Sequence, residues 1–320
     1  MNRIIPIIII FAMYSNSISA QQIPIFTQYQ ENIGVINPAA LPTDFFTDEH
    51  NLSFGASIRK QWVDLPNSPF TQTLQGVHFN NSQGGVNLLT GGYLINDQTG
   101  PTGFTGAYGR LAGVISSDPK YSGLSIGLNA GMVQYRIKTS ELHLKDPNDI
   151  VGTTDKTQIY PDLGMGAFYY QQLGGGLDGD YIYAGVSVPQ IMGLDLSFLN
   201  GDGKFNLKRI QHYYAILGWY HFLGDKSSFL EPTVWIKSTP GVPINIDLNL
   251  RYQMTGSFWI GGGMTPFTKL HAEAGFIIGK NMGSDSNFRI GYSYDYAFAS
   301  YGPYVGSTHE INLTFSLPTK

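Results

Sequence analysis

The feature that most constrains the fold is a run of alternating polar and apolar side chains near the end of the chain, residues 309–317. In an extended strand, successive side chains point to opposite faces. Leu313 and Phe315 therefore share an apolar face, whereas Glu310 and Asn312 share a polar one. This design is typical of the closing strand of a transmembrane β-barrel, in which the apolar face meets lipid and the polar face meets the lumen.

The start of the chain indicates export. Arg3 is followed by the apolar stretch 4–13 and then by small residues up to Ala20, so we predict a cleaved signal peptide over residues 1–20. Its apolar stretch is shorter than the roughly 20 residues that a spanning helix needs. No other segment reaches that length without polar interruption. A location in a membrane would then require a closed barrel, because in lipid only helices and closed barrels satisfy every backbone hydrogen-bonding group.

The composition agrees with a lipid-facing wall. Charged residues make up 13 % of the chain, which also contains 20 Tyr and 19 Phe, whereas soluble domains carry about 25 % charged residues. The formal charge of -4 gives no basic surface for nucleic acid, and the lack of Cys excludes disulfides and thiolate metal sites. We expect an outer-membrane barrel over residues 51–320, preceded by an N-terminal segment, residues 21–50.

The number of strands follows from the polar–apolar period. Six segments alternate cleanly, namely residues 52–62, 182–188, 243–253, 270–278, 288–296 and 309–317. Eight less regular candidates begin near Pro69, Val86, Phe104, Gly123, Asp162, Tyr213, Phe229 and Phe258. We therefore predict an all-β, antiparallel barrel of about 14 strands, an even number as bacterial barrels require. If both chain ends are periplasmic, the three longest connections, 140–159, 190–211 and 297–308, all face outward.

Charged side chains on the polar faces form the main cluster that could carry chemistry. We predict a lumenal polar network from Asp247, Arg251, His271, Glu273, Arg289, Asp295 and Glu310, beside Arg59. Such a set can serve acid–base work or a proton path, but it is more often the balanced charge of a polar lumen. The His residues lack metal-ligand spacing, and no Ser/His/Asp arrangement is recognisable. We expect no enzyme activity, no cofactor and no metal.

Motifs along nearly the whole mature chain resemble the PorP/SprF-like outer-membrane proteins of the Bacteroidetes type IX secretion and gliding machinery. The most specific are at its two ends. The motifs include Phe26-Thr27-Gln28-Tyr29, Asn37-Pro38-Ala39, Arg59 with Gln61-Trp62, Tyr183-Ala184-Gly185-Val186-Ser187, Gly291-Tyr292-Ser293-Tyr294-Asp295-Tyr296 and Gly306-Ser307-Thr308-His309-Glu310-Ile311.

This resemblance implies a 14-stranded barrel that works with the type IX machinery in the outer membrane rather than as an enzyme. Relatives are associated with export or surface attachment of cargo that carries a C-terminal secretion domain, such as gliding adhesins. They are also associated with periplasmic peptidoglycan-associated proteins and other secretion components. Two alternatives from other classes stay open: a passive porin or small-molecule transporter, and a soluble secreted β adhesin.

The N-terminal segment carries a family motif yet precedes the first convincing strand. We hypothesise that it folds into the lumen or against the periplasmic rim, anchored by Arg59, Gln61 and Asp295; the alternative is a mobile periplasmic extension. Candidate motif and anchor residues are Phe26, Gln28, Tyr29, Asn37, Pro38, Arg59, Gln61 and Trp62. In the long connections, Phe198, Tyr301 and Tyr304 are candidate partner contacts or members of an interfacial aromatic girdle.

Overall fold

The computed structural model describes most of the chain after residue 24. The described residues are 25–81, 85–138, 155–174, 179–192, 195–200, 203–208, 210–254, 257–279 and 282–319. The predicted signal peptide and most of the predicted connection 140–159 lie outside them.

Strands dominate the described residues. The strands are β1 Leu52–Lys60, β2 Phe70–Asn80, β3 Val86–Thr99, β4 Thr102–Ile115, β5 Ser122–Ile137, β6 Lys156–Gln172, β7 Tyr181–Val188, β8 Asp195–Asn200, β9 Gly203–Lys208, β10 Tyr213–Leu223, β11 Asp225–Thr239, β12 Val242–Met254, β13 Phe258–Thr265, β14 Lys269–Ile278, β15 Asn287–Ala297 and β16 Thr308–Leu317. The helices are single turns, α1 Ile33–Ile36, α2 Phe45–Asp48 and α3 Gly302–Val305. No helix in the described ranges is long and apolar enough to cross a bilayer.

Fourteen of the described strands close into a barrel. Each pairs antiparallel with its neighbours, β10 follows β7 around the ring, and β8 and β9 form a separate hairpin. The ring closes between β1 and β16, in a register that runs from Leu52 opposite Leu317 to Lys60 opposite His309. The predicted antiparallel barrel of 14 strands is confirmed.

The two faces of the wall follow the predicted alternation. In β15, Ile290, Tyr292 and Tyr294 point outward with 38–46 % of their surface exposed, whereas Arg289 and Ser293 point inward and are buried. The same pattern runs through β12, β14 and β16. Aliphatic and aromatic side chains outside and polar side chains inside are what a barrel in lipid requires.

The structure differs from the sequence prediction at several places, of which three bear on the connections of the barrel. Strand β6 begins at Lys156 rather than near Asp162, because its polar first residues continue the hydrogen-bonded ladder with β5. The predicted connection 190–211 contains the β8–β9 hairpin, whose register closes with Asn200 opposite Gly203. Strand β1 ends at Lys60, before the predicted end at 62, and Trp62 turns the chain away with a left-handed φ of 59°.

The barrel has two distinct ends. We call the end that holds the start of β1 and the end of β16 the basal end, and the opposite end the loop end. Antiparallel order places the connections β5–β6, β7–β10 and β15–β16 at the loop end together. These are the three connections that the sequence predicts to be the longest and to face outward.

Candidate functional site

The N-terminal segment lies inside the lumen and spans its height. Near the loop end, Thr27 Oγ1 donates a hydrogen bond to Asp295 Oδ1 of β15 at 2.8 Å. At the basal end, His50 Nδ1 lies 2.9 Å from Ser316 Oγ of β16. Between them the segment is buried almost throughout. We call residues 25–50 the plug segment; it descends from the loop end and leads into β1 at the basal end.

A buried carboxylate holds the upper part of the plug segment. Glu310 accepts hydrogen bonds from the backbone N–H groups of Thr27 at 2.7 Å and Gln28 at 3.2 Å. Arg59 balances this charge, with Nε 3.5 Å from Glu310 and Nη2 3.3 Å from Asp295. Hydrogen bonds to an ionised acceptor are stronger than neutral ones. Two successive N–H groups on one carboxylate therefore fix the position of the segment at this height.

Ion pairs hold the middle of the plug segment. Glu31 lies 2.8 Å from Arg251 and 3.4 Å from Arg289, and Arg251 also lies 3.4 Å from Glu273. Arg289 pairs with Asp44 of the same segment at 2.6 Å. All five side chains are at most 5 % exposed. Each of the two wall arginines thus pairs with at least one carboxylate of the segment, and loss of such a carboxylate weakens the compensation of a buried charge.

Tyr29 contributes a second kind of contact on another part of the wall. Its hydroxyl lies 2.5 Å from Thr233 Oγ1, and its ring packs against Trp235 with the centroids 5.1 Å apart. Burial raises the pKa of the Tyr29 hydroxyl above its ordinary value, so the group is neutral in this contact.

The Asn37-Pro38 turn fits directly against the backbone of the wall. Asn37 Nδ2 donates to the carbonyl oxygens of Ala167 at 3.0 Å and Val186 at 3.3 Å. A Cβ atom at Gly127 would lie only 2.7 Å from the Pro38 carbonyl oxygen, so glycine makes room for the turn. The Asn37-Pro38 turn therefore packs closely against the wall and is hydrogen-bonded to its backbone.

Near the basal end the segment is anchored by aromatic packing. Phe46 is 8 % exposed and is surrounded by tyrosine rings whose centroids lie 5.1–6.0 Å away. These rings belong to Tyr170, Tyr181, Tyr183 and Tyr220 of β6, β7 and β10. The charged anchors are on β12, β15, β16 and β1, so the segment is held from both sides of the lumen.

The predicted lumenal residues all point inward, but they do not form one cluster. Arg59, Asp295 and Glu310 meet near the loop end, where Lys269 also pairs with Asp295 at 2.9 Å. Arg251, Glu273 and Arg289 meet around Glu31 lower down. Asp247 pairs with Lys237 and Thr265, and His271 Nε2 lies 3.2 Å from Asn249 Oδ1.

Several predicted motif residues have roles other than those expected. Gln61 accepts a hydrogen bond from Arg59 Nη1 at 2.6 Å and has no described bond to the plug segment. Trp62 packs edge-on against Tyr301 at the loop end, with ring centroids 6.0 Å apart. Tyr301 is 43 % exposed and Tyr304 79 % exposed. Phe198 belongs to β8, in the hairpin that forms a sheet separate from the barrel.

Sequence reasoning missed four charged members of the site. Glu31 and Asp44 belong to the plug segment, and Lys237 and Lys269 belong to β11 and β14. Glu31 lies two residues after the Phe26–Tyr29 motif, and a carboxylate in a lumenal segment needs a buried cation. The charge of Glu31 therefore predicts a buried cation on the wall, once the segment is placed in the lumen.

The path of the plug segment can be tested by labelling, because the chain contains no Cys. Ile25 is half-buried at the loop end, and Glu49 is exposed at the basal end. We expect a membrane-impermeant maleimide to label Ile25→Cys in intact cells and to label Glu49→Cys only after the outer membrane is broken. Phe267→Cys and Met282→Cys, at the loop and basal ends, calibrate the orientation. Labelling of Ile25→Cys only in broken cells, with Phe267→Cys labelled in intact ones, would contradict this path.

Comparisons with known proteins identify the family. A family model described as type IX secretion system membrane protein PorP/SprF matches residues 18–315. No curated protein is significantly similar in sequence. Among solved structures, the chain is similar to the P. putida toluene transporter TodX (TM-score 0.48, 9 % identity, 90 % of this chain and 94 % of that one). It is also similar to a Pseudomonas aeruginosa FadL homologue (TM-score 0.48, 10 % identity, 89 % of this chain and 93 % of that one). A third similar structure is the translocator domain of autotransporter NalP from Neisseria meningitidis (TM-score 0.42, 13 % identity, 84 % of this chain and 88 % of that one).

The extent of the family match settles the assignment, because it reaches from before the plug segment to within the closing strand β16. With the closed barrel and its apolar outer face, it confirms the predicted outer-membrane location. This chain belongs to the PorP/SprF family of type IX secretion system membrane proteins.

Proposed function

We propose that this barrel is a plugged, non-enzymatic component of the type IX secretion system that exports or anchors cargo at the cell surface. The cargo carries a C-terminal secretion domain, and gliding adhesins are one class of it. The loop end receives the cargo, and the basal end meets periplasmic peptidoglycan-associated proteins. Membership of the PorP/SprF family supports action with other secretion components.

The observation that carries this proposal is the plug segment itself. Phe26, Gln28, Tyr29 and Asn32 are at most 2 % exposed, so the segment is packed against the wall rather than loosely inserted. A passive porin or small-molecule transporter needs a continuous path through its lumen. A lumen filled from one end to the other favours a platform that binds proteins at its ends.

The charges of the lumen support a structural role. Arg59 pairs with Asp295, which binds Thr27 of the plug segment, and Arg251 and Arg289 pair with carboxylates of the segment itself. Among the residues that the structure describes, no group of three or more His, Cys, Asp or Glu side chains is placed to hold a metal ion. We therefore assign these groups to anchoring the segment rather than to catalysis.

Purification at native expression level in mild detergent tests the proposal, with mass spectrometry to identify what is bound. We expect a secreted protein with a C-terminal secretion domain, a periplasmic peptidoglycan-binding protein, or both. Deletion of the gene should remove that cargo from the cell surface without changing outer-membrane permeability to small solutes. Recovery of a stable, conductive barrel alone would instead favour a passive pore.

A further inference from the structure

We propose that one arc of the loop end is a docking surface for a folded domain of the exported cargo, a proposal that rests on the proposed function. The surface consists of three connections: residues 61–69 between β1 and β2, the turn 266–268 between β13 and β14, and residues 298–307 between β15 and β16. We call these three connections the aromatic crest.

Main-chain hydrogen bonds tie the three connections into one body. Val63 N–H donates to the Ser307 carbonyl oxygen at 3.0 Å, which joins the first connection to the third. Phe298 N–H donates to the Thr268 carbonyl oxygen at 3.0 Å, which joins the third to the turn. A surface fixed in this way loses less conformational freedom when it binds than three independent loops would.

Large aromatic side chains are exposed on the aromatic crest. Phe267 is 89 % exposed and Tyr304 79 %, while Phe298 and Tyr301 are 43 % exposed. Tyr301 is held by the ring of Trp62 behind it. Aromatic side chains dominate the binding energy of protein interfaces, because they bury a large area at low entropic cost. A partner that binds these rings needs an apolar face or pocket, and it must approach the barrel from the loop end.

The backbone at Phe267 is the strongest indication that its ring has a role outside the fold. Its φ of 65° lies in the left-handed region, which Gly and Asn adopt readily and which a bulky residue rarely does. A ring that is almost fully exposed gives no packing in return for this strain. Strained residues of this kind cluster at binding and switching sites.

The position of the crest favours a protein over membrane lipid. Girdle aromatics lie on the outward face of paired strands, as Tyr294 does in β15. Phe267 lies beyond the last pair of its hairpin, Thr265 with Lys269. Trp62 and Tyr301 line the mouth of the lumen rather than the lipid-facing wall.

Photocrosslinking from the full-length protein in living cells tests the docking surface. A photoreactive benzoylphenylalanine replaces Phe267, Tyr304 or, as a control at the basal end, Met282, which is 77 % exposed. We expect the first two positions to give an adduct with the same cargo protein that native purification recovers, and Met282 to give none. Adducts with lipopolysaccharide alone would overturn the proposal, and so would a crest adduct with a protein that has no C-terminal secretion domain.

The result also separates this proposal from the proposed function. If cargo copurifies with the barrel but never crosslinks to the crest, the cargo docks elsewhere and only the present proposal fails. If no cargo is recovered by either route, the proposed function fails as well.

A second variant separates binding from folding. Phe267→Gly relieves the left-handed strain, so the unfolding midpoint should stay unchanged or rise, while cargo recovery should fall by about tenfold, the size of a modest interface hot spot. Met282→Ala should leave cargo recovery unchanged. Undiminished recovery with Phe267→Gly would overturn the proposal.

Discussion

Removal of residues 21–50, with the signal peptide retained, is expected to turn a poorly conducting barrel into an open pore. The plug segment runs through the lumen from Thr27 near the loop end to His50 at the basal end. Once it is gone, the polar inner wall is hydrated, as it is in the water-filled channels of porins. Single-channel recording in planar bilayers should show conductance higher by on the order of tenfold or more.

The controls for this deletion address folding and charge. Arg251 and Arg289 lose their partners Glu31 and Asp44, so heat-modifiable gel mobility must first show that the shortened barrel is closed. The full-length Glu49→Ala variant, changed at an exposed position of the same segment, should conduct like the parent. Unchanged conductance, stability and partner recovery in the deletion variant would show that the segment does not plug the barrel.

Arg251→Met is expected to be the most destabilising single substitution in the lumen. It removes the guanidinium that lies 3.4 Å from the buried Glu273, whose one described ion pair is with Arg251, and it leaves Glu31 with Arg289 alone. Removal of one partner from a buried ion pair costs about 3 to 5 kcal/mol. Urea unfolding in lipid vesicles, followed by tryptophan fluorescence, should show a loss of this size.

Two variants make that measurement specific. The double variant Arg251→Met with Glu31→Gln also removes the carboxylate that has lost its shorter ion pair and should recover part of the loss, because Arg289 keeps its pair with Asp44. Lys120→Ala breaks a pair with Glu49 in which the side chains are 38 % and 50 % exposed, and should cost at most about 1 kcal/mol. If Arg251→Met costs no more than Lys120→Ala, the ion pairs around Glu31 do not hold the segment.

The wall of the barrel was predictable because its signal is local. In β12 and β15, each residue's side follows from the period of two, so Asp247 and Asp295 could be placed inside without knowledge of the neighbouring strands. The start of β6 was not predictable in this way, because its first residues extend past the alternating stretch. The β8–β9 hairpin has a recognisable turn signal in residues 200–203, which a search for hairpins inside long connections would find.

The site was only partly predictable because its contacts are long-range. Arg59 and Asp295 lie beside the plug segment, but Gln61 bonds to Arg59 instead. Glu31 and Arg251 are 220 residues apart in sequence, and no period relates a segment without regular structure to the strand that it contacts. The charge of a lumenal segment predicts that cations must face it, but not which ones.

The plug segment also joins the two ends of the chain. Glu310, on the last strand, binds Thr27 and Gln28, while Asn32 lies 3.5 Å from Ser57 on the first strand. These strands meet only when the ring closes, and bringing together chain ends so far apart carries an entropic cost. A segment that contacts both strands offsets that cost as it docks. Closure of the seam and docking of the segment are therefore coupled steps of assembly, and a barrel with an open seam also lacks the anchors that β1 and β16 supply together.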